Sequence, residues 1–68
     1  MNLTLRAARV NAGLTISEAS AKIGCSVAAL RKWETGANAP NAKYIPLISD
    51  AYHIPAKNIL FFLTRLLW

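Results

Sequence analysis

The chain is poor in the residues that cross-linking and catalysis need. It has one cysteine, Cys25, and one histidine, His53. A single thiol closes no internal disulfide, and one thiol with one imidazole falls short of a structural zinc set, so no metal is expected. Cys25 reads as a small residue packed in a turn, because no acid or base stands near it in sequence to activate a thiolate. His53, in Tyr52-His53-Ile54-Pro55, reads as the C-terminal residue of a helix, where an imidazole suits the negative end of the dipole. Only three residues are acidic. That leaves little for general acid and base work. Paired carboxylates, a Ser/His/Asp set and a phosphate-cradling glycine loop are all missing, so the reading is of a non-enzyme without cofactors. Long hydrophobic runs are lacking too: the longest, Ile59 to Leu63, is far below the ~20 residues of a membrane helix. Met1 to Gly13 carries two arginines and no sustained apolar core, unlike a signal peptide. These absences predict a cytoplasmic protein with no membrane partner.

What is present points to a small binding module. The 68 residues suffice for a single domain, near the size at which small helical domains still fold alone. Eight Lys and Arg against three acidic residues give a net charge of +5, and the pI is near 10.0. Such a balance favours contact with phosphates. A hydrophobic content of 54% is high for this length, and predicts some apolar surface left for association.

The most informative stretch, residues 15–35, writes two short helices and the tight turn between them. Thr15 with Glu18 makes a capping box, in which hydroxyl and carboxylate reciprocally satisfy amides at a helix start. Gly24 stands where a positive φ ends a helix, and Ser26 offers an oxygen to cap the next. The pattern is a helix-turn-helix. Leu14, Ala19, Ile23, Leu30 and Trp33 fall on mutually facing stripes, which turns Val27, Ala28, Arg31 and Lys32 outward.

The remaining chain predicts further helices and no strands. Leu3 to Ala12 forms a first helix, with Leu5, Ala8 and Ala12 inward, Arg6 and Arg9 on a polar flank, and Gly13 ending it. The segment from Gly36 to Asn41 is a loop by its Gly, Asn and Pro content. A fourth helix runs from about Lys43 to Tyr52; Pro46 is tolerable only in its first turn, so a late or loose start is expected. Ala56 to Trp68 forms an apolar fifth helix after Pro55.

These residues resemble the lambda-repressor-like class of helix-turn-helix proteins, the Cro and CI or Xre family, in its phage or prophage type. The likeness rests on Arg9 four residues before Gly13, on Gly13-Leu14-Thr15, on Gly24 and Leu30, on Trp33-Glu34-x-Gly36, on Pro40, and on an apolar fourth helix. It implies an all-α, compact five-helix domain and a transcriptional regulator that binds double-stranded DNA. It also implies a structural ion pair between Arg9 and Glu34, so neither is assigned to DNA. By the same resemblance Val27, Ala28 and Lys32 read bases, with Arg31 assisting. Val27 and Ala28 offer thymine methyls only apolar contact, whereas Lys32 reaches guanine O6 or N7. Phosphate contact falls to Asn38, Lys43 and Tyr44, the last two at the start of helix four. Two positions depart from the family pattern: Ile16 stands where glutamine is common, and Ala37-Asn38 where a basic pair is usual.

A second function competes with the first. Residues 58–68 hold eight large apolar side chains, more than one face of one helix buries. They cap the domain's own core, or they form a homodimer seam or partner patch centred on Phe62, Leu66 and Trp68. A homodimer suits a repressor that reads two half-sites about one helical turn apart. In the alternative, the chain is a modulator or antirepressor that forms a heterodimer with a co-encoded repressor, with Ile16, Val27 and Ala28 as its docking face.

Overall fold

Helix formation starts two residues later than the periodicity suggests, because Thr4 is spent as a cap. Its hydroxyl accepts from the Ala7 amide at 3.1 Å, and α1 spans Leu5–Asn11 with Ala12 as its C-cap. The computed structural model describes residues 2–61. Helix α2 covers Ile16–Ile23, α3 Val27–Thr35 and α4 Ile45–Tyr52. A 3-10 turn at Ala42–Tyr44 leads into α4, and another at Ala56–Asn58 follows it. Two residues near each end pair as parallel strands, β1 at Leu3–Thr4 and β2 at Ile59–Leu60, in the register Leu3 with Ile59 and Thr4 with Leu60.

Three expectations are corrected. Leu3 is strand, not helix. Strands exist where none was expected. A fifth helix does not begin at Ala56: residues 56–58 make one 3-10 turn, and the chain then runs extended, with Ile59 at φ −112° and ψ 130°. The reason is burial. Ile59 and Phe61 are buried while Leu60 between them is only half-buried, an alternation with period two that belongs to a strand. The rest of the expected fifth helix, with Phe62, Leu66 and Trp68, lies outside the described residues. Among those described, the helices number four, and none is long and apolar enough to cross a membrane.

The core draws on all four described helices and on residues 59–61. Leu5 and Ala8 of α1, Ala19 and Ile23 of α2, Leu30 and Trp33 of α3, and Ile48 and Tyr52 of α4 are buried together, with Ile59 and Phe61 closing one side. Leu14, Ile16 and Cys25 pack against this cluster half-exposed. Burial pushes the Cys25 thiol above its ordinary pKa, which keeps it protonated and suits a packing role.

Tyr52 brings the core's one polar anomaly. Its hydroxyl is buried with no hydrogen-bond partner among the described residues, and burial pushes the phenol up to about 12. Desolvation is the larger cause; Glu34 adds to it and Arg9 opposes it. The folded pKa lies above the ordinary 10.0, so the associated stability is fully present below pH 10 and is lost as pH rises through about 12. Removing the hydroxyl removes both the unpaired group and the titration. Tyr52→Phe is therefore expected to leave stability unchanged or raise it by about 1 kcal/mol at neutral pH, and to move alkaline unfolding upward. Urea melts at pH 7 and pH 11 check this; a loss above about 1 kcal/mol at pH 7 would show a hydroxyl hydrogen bond.

Candidate nucleic-acid interface

The helix-turn-helix is built by its caps. The Thr15 amide donates to Glu18 Oε1 at 2.9 Å while the Glu18 amide donates to Thr15 Oγ1 at 3.1 Å, so the capping box is complete. Hydrogen bonding from Thr15, its backbone amide first and its side chain second, holds the Glu18 carboxyl below its ordinary value. Its contribution is thus present above the usual carboxylate range and lost as pH falls through the lowered value. Helix α2 ends at Gly24 in the left-handed region, φ 89°, with no atom within 4 Å of where a Cβ would stand. Backbone conformation alone therefore asks for glycine there. Ser26 Oγ then accepts from the Ala29 amide at 3.0 Å and starts α3.

On α3 the inward residues Leu30 and Trp33 are buried, which fixes what the opposite face shows. Ala28, Arg31 and Lys32 are exposed, and Val27 is half-buried. The outward set expected from the sequence is thus brought together on one helix, with Ala28 as its more open apolar member. Ile16, offered as part of an apolar docking face, is half-buried and packs against the core.

The phosphate candidates are held next to α3. Helix α3 ends at Gly36, φ 83°, and the Ala37 and Asn38 amides turn back onto the Lys32 carbonyl at 3.0 and 3.3 Å. This leaves Asn38 exposed beyond the end of α3. The Tyr44 ring lies 5.1 Å from the Trp33 ring at 50°, and the Lys43 ammonium sits 5.2 Å from the Tyr44 centroid. Trp33 therefore ties this turn to α3, and Lys43 projects from it exposed. Lys43 and Tyr44 sit in the 3-10 turn that leads into α4, the late and loose start expected from Pro46 in the first turn. The Tyr44 amide donates to the Asn41 carbonyl, the Ile45 amide to that of Ala42, and Pro46 has none. Free helix-start amides are thus scarce, and the attraction for an anion rests on the Lys43 charge.

Arg9 and Glu34 form the ion pair implied by the family resemblance. Arg9 Nε donates to Glu34 Oε2 at 2.7 Å, Nη2 to Oε1 at 3.2 Å, and Nη1 to the Leu14 carbonyl at 3.0 Å. Their side chains are only 14% and 7% exposed. Its hydrogen bonds to the Glu34 carboxylate raise the Arg9 pKa, so the guanidinium stays charged. One side chain thereby joins α1, the turn before α2 and the end of α3.

Arg6, placed by the sequence on a polar flank of the first helix, was given no part in a site. It lines a groove of about 530 Å³ with Arg9, Thr15, Ile16, Arg31, Glu34 and Thr35. Its spacing of three from Arg9, which sets both on one helix face, was the available signal. Arg6 and Arg31 are exposed and stand on this groove, while Arg9 is committed to Glu34.

A helix-turn-helix family model matches residues 5–57, which hold all four described helices. No curated protein and no solved structure matches the chain.

Proposed function

We propose, because the chain belongs to the Xre and lambda-repressor-like helix-turn-helix family of DNA-binding transcriptional regulators, that it is a regulator of the phage repressor type that reads operator DNA with α3. The exposed set Ala28, Arg31 and Lys32 on one helix face, with Lys43 tied beside it through Tyr44 and Trp33, carries this reading. The roles divide by chemistry. Lys32, assisted by Arg31, donates to guanine edges in the major groove, and Lys43 with Asn38 meets phosphates on either side of the groove. Tyr44, half-buried against Trp33, positions Lys43 more than it touches DNA itself. The net charge of +5 steers the approach.

The two kinds of contact fail differently. Lys43→Ala is expected to weaken binding to all duplexes alike and to reduce the slope of log K against log salt by about 0.9. Lys32→Ala is expected to relax preference at one base pair per half-site, at a cost of about 1–3 kcal/mol on the preferred sequence. Fluorescence anisotropy across a salt series, with preferred and random duplexes, checks both. Equal losses on both duplexes for Lys32→Ala would remove it from base readout.

The same measurements distinguish a partner repressor as occupant of this face. If no duplex binds at low salt, and Val27→Asp with Ala28→Asp abolishes association with a co-encoded repressor in a folded protein, the modulator reading replaces the DNA reading.

A further inference from the structure

We infer that Arg6 is a backbone contact of this regulator: with the charge of Arg31 beside it, it holds one phosphate of the bound duplex at the groove between α1, the start of α2 and α3. The inference rests on the DNA reading above and adds a phosphate anchor on α1, an element that reading leaves out. Three arginines, Arg6, Arg9 and Arg31, line the groove with one acid, Glu34. Arg9 and Glu34 cancel within their ion pair. Arg6 and Arg31 are exposed and have no hydrogen bond or ion pair among the described residues. Two like charges on one open groove raise its positive potential, which an anion relieves.

The chain has no acidic side chain to spare for them. It holds three in all. Glu34 is bound by Arg9, Glu18 closes the capping box of α2, and Asp50 lines a different groove, with Pro46 and His53. An anion that meets Arg6 and Arg31 therefore comes from outside. Arg31 and Lys32 are neighbours on α3, so the groove opens beside the proposed base-reading face, where a duplex in contact with Lys32 brings its backbone. The start of α2 offers that backbone little. Ile16 has no polar side-chain atom, and the Thr15 and Glu18 amides already donate within the capping box. A guanidinium from α1 supplies what is missing, because its planar fork pairs with two phosphate oxygens.

The experiment takes a duplex selected from a randomised pool by the wild-type protein, places one neutral methylphosphonate at a time along its backbone, and reads affinity by fluorescence anisotropy. Neutralising the phosphate that meets Arg6 is expected to weaken wild-type binding about fifteenfold at ~50 mM salt and about fourfold at ~200 mM, as for one lost phosphate contact. Arg6→Gln, at an exposed position, should lose affinity by the same factors, reduce the slope of log K against log salt by about 0.9, and become indifferent to the methylphosphonate at that position alone. Its sensitivity at the phosphate met by Lys43 should persist, and Arg6→Lys should recover most of the slope. Inorganic phosphate exchanged for chloride at equal ionic strength should displace the duplex no better from the wild-type protein than from Arg6→Gln. Displacement specific to the wild type would make the groove a site for free phosphate and overturn the backbone assignment. An Arg6→Gln protein with the wild-type slope and the wild-type response at every position also overturns it, and leaves the DNA reading standing. Absence of binding to every duplex at low salt overturns the DNA reading, and the inference falls with it.

Discussion

Trp33→Ala is expected to cost about 3–5 kcal/mol, more than any other single truncation in this domain. The indole is 6% exposed in a core assembled from all four helices, and it also carries the Tyr44 ring at 5.1 Å. Its loss opens a cavity that a core this small closes poorly, and frees the turn that holds Lys43. A 68-residue domain has a total stability of roughly 3–10 kcal/mol, so the variant should be largely unfolded near 37 °C. A thermal melt is the measurement, with a fall in Tm of well over 10 °C expected. Trp33→Phe keeps most of the burial and should lose about half as much; a change below about 1 kcal/mol for Trp33→Ala would mean the indole contributes little packing.

The second large effect concerns Arg9 and Glu34. Glu34→Ala is expected to cost about 3 kcal/mol, because it leaves a guanidinium charged with most of its surface away from water. Arg9→Ala loses more contacts, since Arg9 also donates to the Leu14 carbonyl at 3.0 Å and leaves that acceptor unpaired. The pair is not thereby a large net source of stability. Replacing both by similarly sized apolar residues, Arg9→Met with Glu34→Leu, should recover much of the single-variant loss. A double-mutant cycle by urea unfolding reads the coupling, expected at about 1–3 kcal/mol. Near-additive losses would mean that the two side chains act independently despite their 2.7 Å contact.

These two expected effects share a structural cause. Neither Trp33 nor Glu34 is assigned to DNA, yet both set the position of α3 relative to its neighbours: Trp33 through Tyr44 and the core, Glu34 through Arg9 and α1. Base-reading side chains need placement to within a fraction of an ångström. Damage to either anchor should therefore lower DNA affinity beyond what Lys32 or Lys43 variants do, even in the fraction that remains folded.

Residues 15–35 were legible because their signals are local. A capping box needs only Thr15 and Glu18, the left-handed end of α2 only Gly24, and the start of α3 only Ser26; the structure shows all three at work. The buried stripe Ala19, Ile23, Leu30 and Trp33 followed from helical spacing, and with it the outward set on α3. The Arg9–Glu34 pair was reachable through family likeness alone, since 25 residues separate its members. Leu3 and the stretch 56–61 were misread for one reason. Leu3 and Ile59 become strand by pairing with each other, and a hydrogen-bonded partner at the far end of the chain leaves no mark on local periodicity. Apolar Ile59, Leu60 and Phe61 fit a helix or a strand equally well as a run; only the core they close determined that alternate side chains turn inward. Likewise the charge of Lys43 and the loose start before Pro46 could be read in advance, but the place of this turn beside α3 depends on the Tyr44 ring meeting Trp33. Sequence by itself determined which helices form at the centre and which face of α3 is free, because caps and periodicity act within a few residues. Tertiary structure decided the pairing of Leu3–Thr4 with Ile59–Leu60, the anchoring of the turn that carries Lys43 and the groove lined by Arg6 and Arg31, because those depend on contacts between segments that only folding brings together.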